Sequence, residues 1–138
     1  MTTATRHGWV ELPVASGPAP SAYSARPEGD GPWPAVLVGM ELFGVTPHIE
    51  RICQRLAAQG YWALAPDFFH RSGPRQSLPY DADGRARGFA CLDRLNQRAV
   101  LDDVAAALRY VRAQPECSGR VGAAGFSIGG HIAFLAAA

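Results

Sequence analysis

Ser127 is the residue in this chain whose neighbours best suit covalent chemistry. It stands in Gly125-Phe126-Ser127-Ile128-Gly129, a G-x-S-x-G pattern, with Val121 to Ala124 before it and Ile132 to Ala136 after it. The first run reads as a buried strand and the second as the start of a buried helix. The serine therefore falls on a strand-to-helix turn, the context that makes this motif a nucleophile elbow. A turn that tight crowds its neighbours, so the positions two before and two after the serine must be small. The helix that follows aims its first backbone N–H groups, and the positive end of its dipole, at the hydroxyl. This suits acyl transfer: Oγ attacks a carbonyl carbon while the N–H of Ile128 stabilises the oxyanion. The plainer alternative is an incidental serine in a glycine-rich turn, and the clean flanks weigh against it.

Acyl transfer needs more than a nucleophile. A second oxyanion donor is expected from the loop after the neighbouring central strand. Here that loop is Glu41-Leu42-Phe43-Gly44, and the N–H of Leu42 is the candidate. Loss of one such donor typically costs ~10²–10³ in rate, so Leu42 matters through its backbone. Glu41, among Met40, Leu42 and Phe43, is expected to be partly desolvated. It either modulates the nucleophile or senses substrate charge, or it orders the loop by pairing with an arginine.

The base is harder to place. Where a serine stands on such an elbow, the acid and the histidine follow it in the chain, and only 11 residues follow Ser127. His131 lies in the helix that opens at the elbow and has no acid after it. His7 falls in a hairpin, His48 in the first turn of a helix, and His70 on a long loop as an exposed side chain. Asp67, Asp102 and Asp103 read as strand-end and helix-surface residues. The acid and base are therefore expected outside this sequence.

Residues 7–14 and 21–26 read as a hairpin around the turn cluster Ala15 to Pro20. Ala35 to Met40 is a continuous apolar run, as in a strand buried on both faces. Thr46 as N-cap and Pro47 at the first position open a helix whose stripe is Ile49, Ile52, Cys53 and Leu56, closed by Gly60. Tyr61 to Ala65 is the next strand, and residues 35–65 make a right-handed strand–helix–strand unit. Phe68 to Arg87 lacks a clear period and reads as a long excursion over the site, with at most a short helical turn. A helix from about Leu95 to Gln114 carries Val100, Val104, Leu108 and Val111 on one face. The order βββαβαβα is α/β with a mostly parallel sheet.

Composition sets the class. The 138 residues are 48% hydrophobic with a net charge of +1, one domain's worth of globular sequence with no electrostatic footprint for nucleic acid or acidic membranes. Cys53, Cys91 and Cys117 form no C-x-x-C or zinc pattern, so reduced thiols are expected. No signal peptide and no membrane span can be read, and a cytoplasmic location is expected.

Four stretches carry a resemblance: P-A-V-L-V-G-M-E-L-F-G at 34–44, T-P-H-I at 46–49, G-Y-W-A-L-A-P-D at 60–67, and G-R-V-G-A-A-G-F-S-I-G-G-H at 119–131. From about Trp9 onward the sequence resembles the dienelactone hydrolase (carboxymethylenebutenolidase) family of α/β-hydrolases. The resemblance implies the α/β-hydrolase fold, with residues 1–138 as the N-terminal part of a single domain that breaks off after the elbow helix. It also implies a soluble hydrolase that needs no metal or cofactor and opens cyclic lactone esters through an acyl-enzyme. By resemblance Glu41 is the glutamate that interacts with the nucleophile, and Leu42 and Ile128 supply the oxyanion-hole amides. Arg85 or Arg87 matches a family arginine that holds the substrate carboxylate. The best-known members carry cysteine in the elbow where this chain has Ser127. A serine depends on a neighbouring base, which shifts the expected substrate to a general carboxylic ester or lactone. About 100 residues of a full domain, with the acid and histidine, are expected beyond Ala138. The alternative is a non-catalytic fragment, or one half of a split enzyme whose partner is a complementing chain or oligomer.

Overall fold

The computed structural model describes residues 4–137. Five strands, β1 (Thr5–Glu11), β2 (Ser21–Pro27), β3 (Trp33–Gly39), β4 (Trp62–Pro66) and β5 (Cys117–Gly125), form one sheet in the order β1-β2-β4-β3-β5. Four helices accompany them: α1 (Pro47–Ala58), α2 (Ala82–Asp93), α3 (Gln97–Arg112) and α4 (Ile128–Ala137). The short Gly/Pro turn returns the chain antiparallel, so β1 pairs antiparallel with β2 and β2 with β4. The crossovers through α1 and through α2–α3 make β3 parallel to both β4 and β5. The parallel core of the sheet is thus β4-β3-β5.

Each element follows from its residues. β4 is buried along its whole length, with no polar alternation, as a strand covered on both faces must be. Thr46 caps α1 by accepting the N–H of Ile49 at 3.5 Å, and Ile49, Cys53 and Ala57 form its buried stripe. Gln59 is the C-cap, and Gly60 stands one residue beyond it in the left-handed region at φ 99°. Asn96 caps α3 by accepting the N–H of Ala99 at 2.8 Å, so that helix begins at Gln97. Val100, Val104 and Val111 are buried on it as expected, and Leu108 is half-buried. Leu37, Val38 and Met40 from the sheet meet Ile49, Phe68, Phe69 and Val104 in one core.

The excursion after β4 is more ordered than its sequence suggests. A single turn of 3-10 helix at His70–Ser72 is followed by α2, twelve residues long. Asp81 caps α2 by accepting the N–H of Gly84 at 2.8 Å. The buried positions of α2 are Gly84, Gly88 and Cys91. A helix whose inner face is mostly glycine shows no apolar period, and the periodicity argument passes over it.

β5 ends the sheet. Among the described residues it pairs with β3 alone, and its Gly122 and Ala123 are exposed. An unpaired parallel edge whose stretch Val121 to Gly125 carries no charge is a template for another chain. The 138-residue chain purified by itself is expected to self-associate or precipitate. Size-exclusion chromatography with light scattering checks this; a monodisperse monomer with a cooperative melt is the contrary result.

Candidate active site

Ser127 has φ 55°, and Arg75 at 51° is the other non-glycine in that region among the described residues. Such a backbone costs on the order of 1–3 kcal/mol and persists only where the surroundings enforce it. Here they are three glycines. A Cβ on Gly125 would strike the carbonyl of Gly129, and a Cβ on Gly129 would strike the carbonyl of Gly39. Their absence lets α4 begin directly against the ends of β3 and β5. Its first turn closes with Gly129 N–H donating to Phe126 O and Gly130 N–H to Ser127 O, both at 2.9 Å. The N–H of Ile128 finds no protein acceptor among the described residues. Ser127 itself is exposed.

The strand register brings the other candidate residues to the same end of the sheet. Gly39 of β3 is paired with Gly125 of β5. Glu41 and Ser127 therefore each lie two residues past that pair, and Leu42 and Ile128 each lie three past it. The two strands are roughly 4.8 Å apart at the point of departure. The N–H of Leu42, like that of Ile128, donates to no protein group among the described residues. Its loop is a tight turn in which Gly44 N–H donates to Glu41 O at 3.0 Å. Gly44 is in the left-handed region at φ 90°, pressed against the carbonyl of Gln76. Leu78 N–H donates to Phe43 O at 2.9 Å, so residues 76–78 hold the loop from outside.

Among the described residues Glu41 is not paired with an arginine. Its Oε1 accepts from Tyr80 Oη at 2.8 Å and from Thr46 Oγ1 at 3.1 Å, and those two hydroxyls are 2.7 Å apart. The ring of Tyr80 meets Phe43 edge-on, with centroids 4.7 Å apart. Desolvation raises the Tyr80 hydroxyl above its ordinary value, the bond with Thr46 opposes this, and Glu41 adds to it. Tyr80 therefore stays protonated, a donor to Glu41, throughout the neutral range.

Arg85 and Arg87 lie on α2 rather than on a loop, and both are exposed. Arg87 pairs with Asp83 at 3.7 Å. Between them and the next turn, Gly88 packs on the carbonyl of Leu42, which lays α2 across the loop that carries Glu41. His131 is exposed and lines a small apolar hollow with Leu92, Val100 and Ile128. His70 is not the exposed loop histidine expected. Its Nε2 meets Asp103 at 3.2 Å, its side chain is 9% exposed, and Arg71 grips the same carboxylate with two bonds of 2.9 Å. Asp103 is accordingly buried, not a helix-surface residue, whereas Asp102 is exposed and pairs with Arg98 at 3.2 Å. Asp67 does end β4, where it accepts from Phe69 N–H at 3.2 Å and from Arg75 N–H at 2.6 Å. These groups tie down the excursion; the geometry gives them no part beside Ser127.

The sequence profile of the dienelactone hydrolase family matches residues 21–138. The chain belongs to the dienelactone hydrolase family. It is 36% identical over 108 residues to the carboxymethylenebutenolidase of Pseudomonas putida, a match covering 78% of this chain and 46% of that protein. A crystal structure assigned as a dienelactone hydrolase, from Klebsiella pneumoniae, superposes with TM-score 0.81 at 33% identity, over 97% of this chain and 55% of that one. A dienelactone hydrolase-like promiscuous phosphotriesterase from metagenomic libraries gives TM-score 0.77 at 29% identity, over 97% and 54%. The fold is that of the α/β-hydrolases, and the chain spans about half the length of the relatives it matches. Within this family of hydrolases, the described residues hold the strand-to-helix elbow and the β3 loop beside it. No helix among them is long and apolar enough to cross a membrane.

Gly129→Ala is expected to cost about 3 kcal/mol or more, because the new methyl group meets backbone on β3 that cannot move aside. Urea unfolding of the variant beside the parent protein measures it, and a loss below about 1 kcal/mol would contradict the packing described. Burial raises the Asp67 carboxyl above the ordinary range, against the N–H groups of Arg75 and Phe69, which lower it. Its folded value lies above its unfolded one, about 3.9. The contribution of Asp67 to stability is thus complete in acid below that unfolded value and is lost as pH rises through the folded one. Carboxyl ¹³C NMR should give Asp67 a midpoint above the unfolded value; a midpoint at or below it is the contrary result.

Proposed function

We propose that residues 1–138 are the N-terminal part of a single α/β-hydrolase domain that cleaves a carboxylic ester or lactone through an acyl-enzyme on Ser127. The observation that carries this reading is the shared register: a serine held at φ 55° two residues past the Gly39/Gly125 pair, with two undonated amides three residues past it. In the first step Ser127 Oγ bonds to the substrate carbonyl carbon, its proton passes to a base, and the carbonyl electrons move to an oxygen facing Leu42 and Ile128. Collapse of that oxyanion expels the alkoxide, which takes the proton and, in a lactone, stays tethered. Water then attacks the acyl-serine, releasing a carboxylic acid and restoring the hydroxyl.

Glu41 acts beside the nucleophile in this reading, and Arg85 or Arg87, on the helix that crosses the Leu42 loop, receives a substrate carboxylate. The base and its acid come from residues beyond this segment, which leaves it inactive or weakly active by itself. A small-molecule ester or lactone is the substrate, no cofactor takes part, and the reduced thiols Cys53, Cys91 and Cys117 suit a cytoplasmic location. The open edge of β5 favours a second form of the same reading, in which a complementing chain supplies the missing groups and this segment is otherwise non-catalytic.

Fluorophosphonates test the nucleophile directly, because they bond to an activated serine without needing turnover. Mass spectrometry of the full-length protein, or of this segment with its complementing chain, should find the adduct on Ser127 after treatment and none in Ser127→Ala. Labelling that survives in Ser127→Ala, or no labelling of the parent protein in the presence of its partner chain, would overturn the assignment.

A further inference from the structure

We propose that Tyr80 is a positioning residue of this site and acts through Glu41, an inference that rests on the reading of Ser127 as nucleophile. Glu41 leaves the end of β3 at the same offset at which Ser127 leaves β5. A carboxylate there has two orientations with opposite effects. Turned towards the Leu42 turn, it sets negative charge where an oxyanion must form. Held back by one oxygen, it keeps its charge in place and leaves the other oxygen free as an acceptor.

The structure holds it by one oxygen. Both bonds, from Tyr80 Oη and from Thr46 Oγ1, fall on Oε1, and Oε2 has no protein partner among the described residues. The two clamping groups differ in how they are fixed. Thr46 is buried and capped into α1, so it belongs to the scaffold. Tyr80 comes from the segment before α2, is 59% exposed, and is steadied by the edge of Phe43 and by the bond between residues 78 and 43. Its hydroxyl also lies 2.7 Å from Thr46 Oγ1, so the three oxygens stand in mutual contact and share the two hydroxyl protons. Removing that hydroxyl leaves Glu41 on Thr46 alone, free to turn about a single bond. The ring of Tyr80 packs on Phe43 through carbon atoms, so Tyr80→Phe keeps the packing and deletes the clamp.

The experiment is the fluorophosphonate reaction followed over time in four proteins: the parent, Tyr80→Phe, Glu41→Ala and the double variant. In Tyr80→Phe the maximal labelling rate should fall roughly tenfold to a hundredfold, as when an orienting partner is lost. The half-saturating reagent concentration and the melting temperature should stay at parental values. In the Glu41→Ala background the same change should have no further effect, because the residue through which Tyr80 acts is gone. Parental labelling by Tyr80→Phe, or a loss that multiplies with that of Glu41→Ala, would overturn the role of Tyr80 and leave Ser127 standing. All four are prepared as the full-length protein, or as this segment with its complementing chain, and a parent so prepared that does not label at Ser127 would overturn the nucleophile reading, and this inference with it.

Discussion

Three glycines, Gly39, Gly125 and Gly129, meet backbone against backbone where two parallel strands end and a helix begins. No side chain fits between them, and none is present. The contact sets the height of α4 above the sheet and forces the chain to reverse within the two residues before Ile128. Ser127 takes a left-handed backbone because the helix must start there. The strain at that residue is thus the consequence of a packing contact beside it, and it is offset by the burial of Ile132 and the apolar face of α4 against the sheet. The free N–H of Ile128 has the same origin, since a helix that starts at a sheet edge has no preceding turn to accept its first donors.

The second level of order comes from outside the strand core. The loop after β3 buries Met40 and Val45 at its two ends, while its Glu41–Phe43 part is only half-buried and is held by what is laid on it. Residues 76–78 pair with it, Tyr80 reaches back to Glu41, and Gly88 lowers α2 onto the carbonyl of Leu42. The excursion that provides these contacts is anchored in turn at its start. Asp67 collects two backbone N–H groups, and Asp103 on α3 collects both Arg71 and His70. A buried carboxylate with so many donors is stable only while all of them stay in place. The anchor is therefore all-or-none, and it fixes the segment from which Tyr80 and α2 depart.

How much of this was legible depended on whether the signal was local. The elbow could be read because small residues, a strand and a helix follow one another within twenty positions, and the parallel crossover through α1 showed its cap, stripe and closing glycine. Glu41 and Leu42 could be placed from the end of an apolar run. α2 could not, because the residues on its inner face are glycines, chosen for closeness to backbone and invisible to hydrophobic periodicity. His70 and Asp103 stand 33 positions apart and Glu41 and Tyr80 stand 39 apart. Pairings at that range depend on how an excursion folds back. The one available hint was a polar residue, Asp103, amid the apolar stripe of α3, next to a more plainly exposed Asp102.

The three tryptophans all lie away from the elbow. Trp33 and Trp62 start β3 and β4, at the strand ends opposite the elbow, and share the guanidinium of Arg26, which stands 5.4 and 5.5 Å from their rings. Trp9 is on the far edge strand, beneath Arg75 at 5.0 Å. Each indole has a cation over its face, a setting that shifts its emission and is lost when the hairpin or the strand starts come apart. The intrinsic fluorescence of this chain is thus an optical gauge of the hairpin side of the sheet, and local melting of the Ser127 turn would pass beneath it in silence.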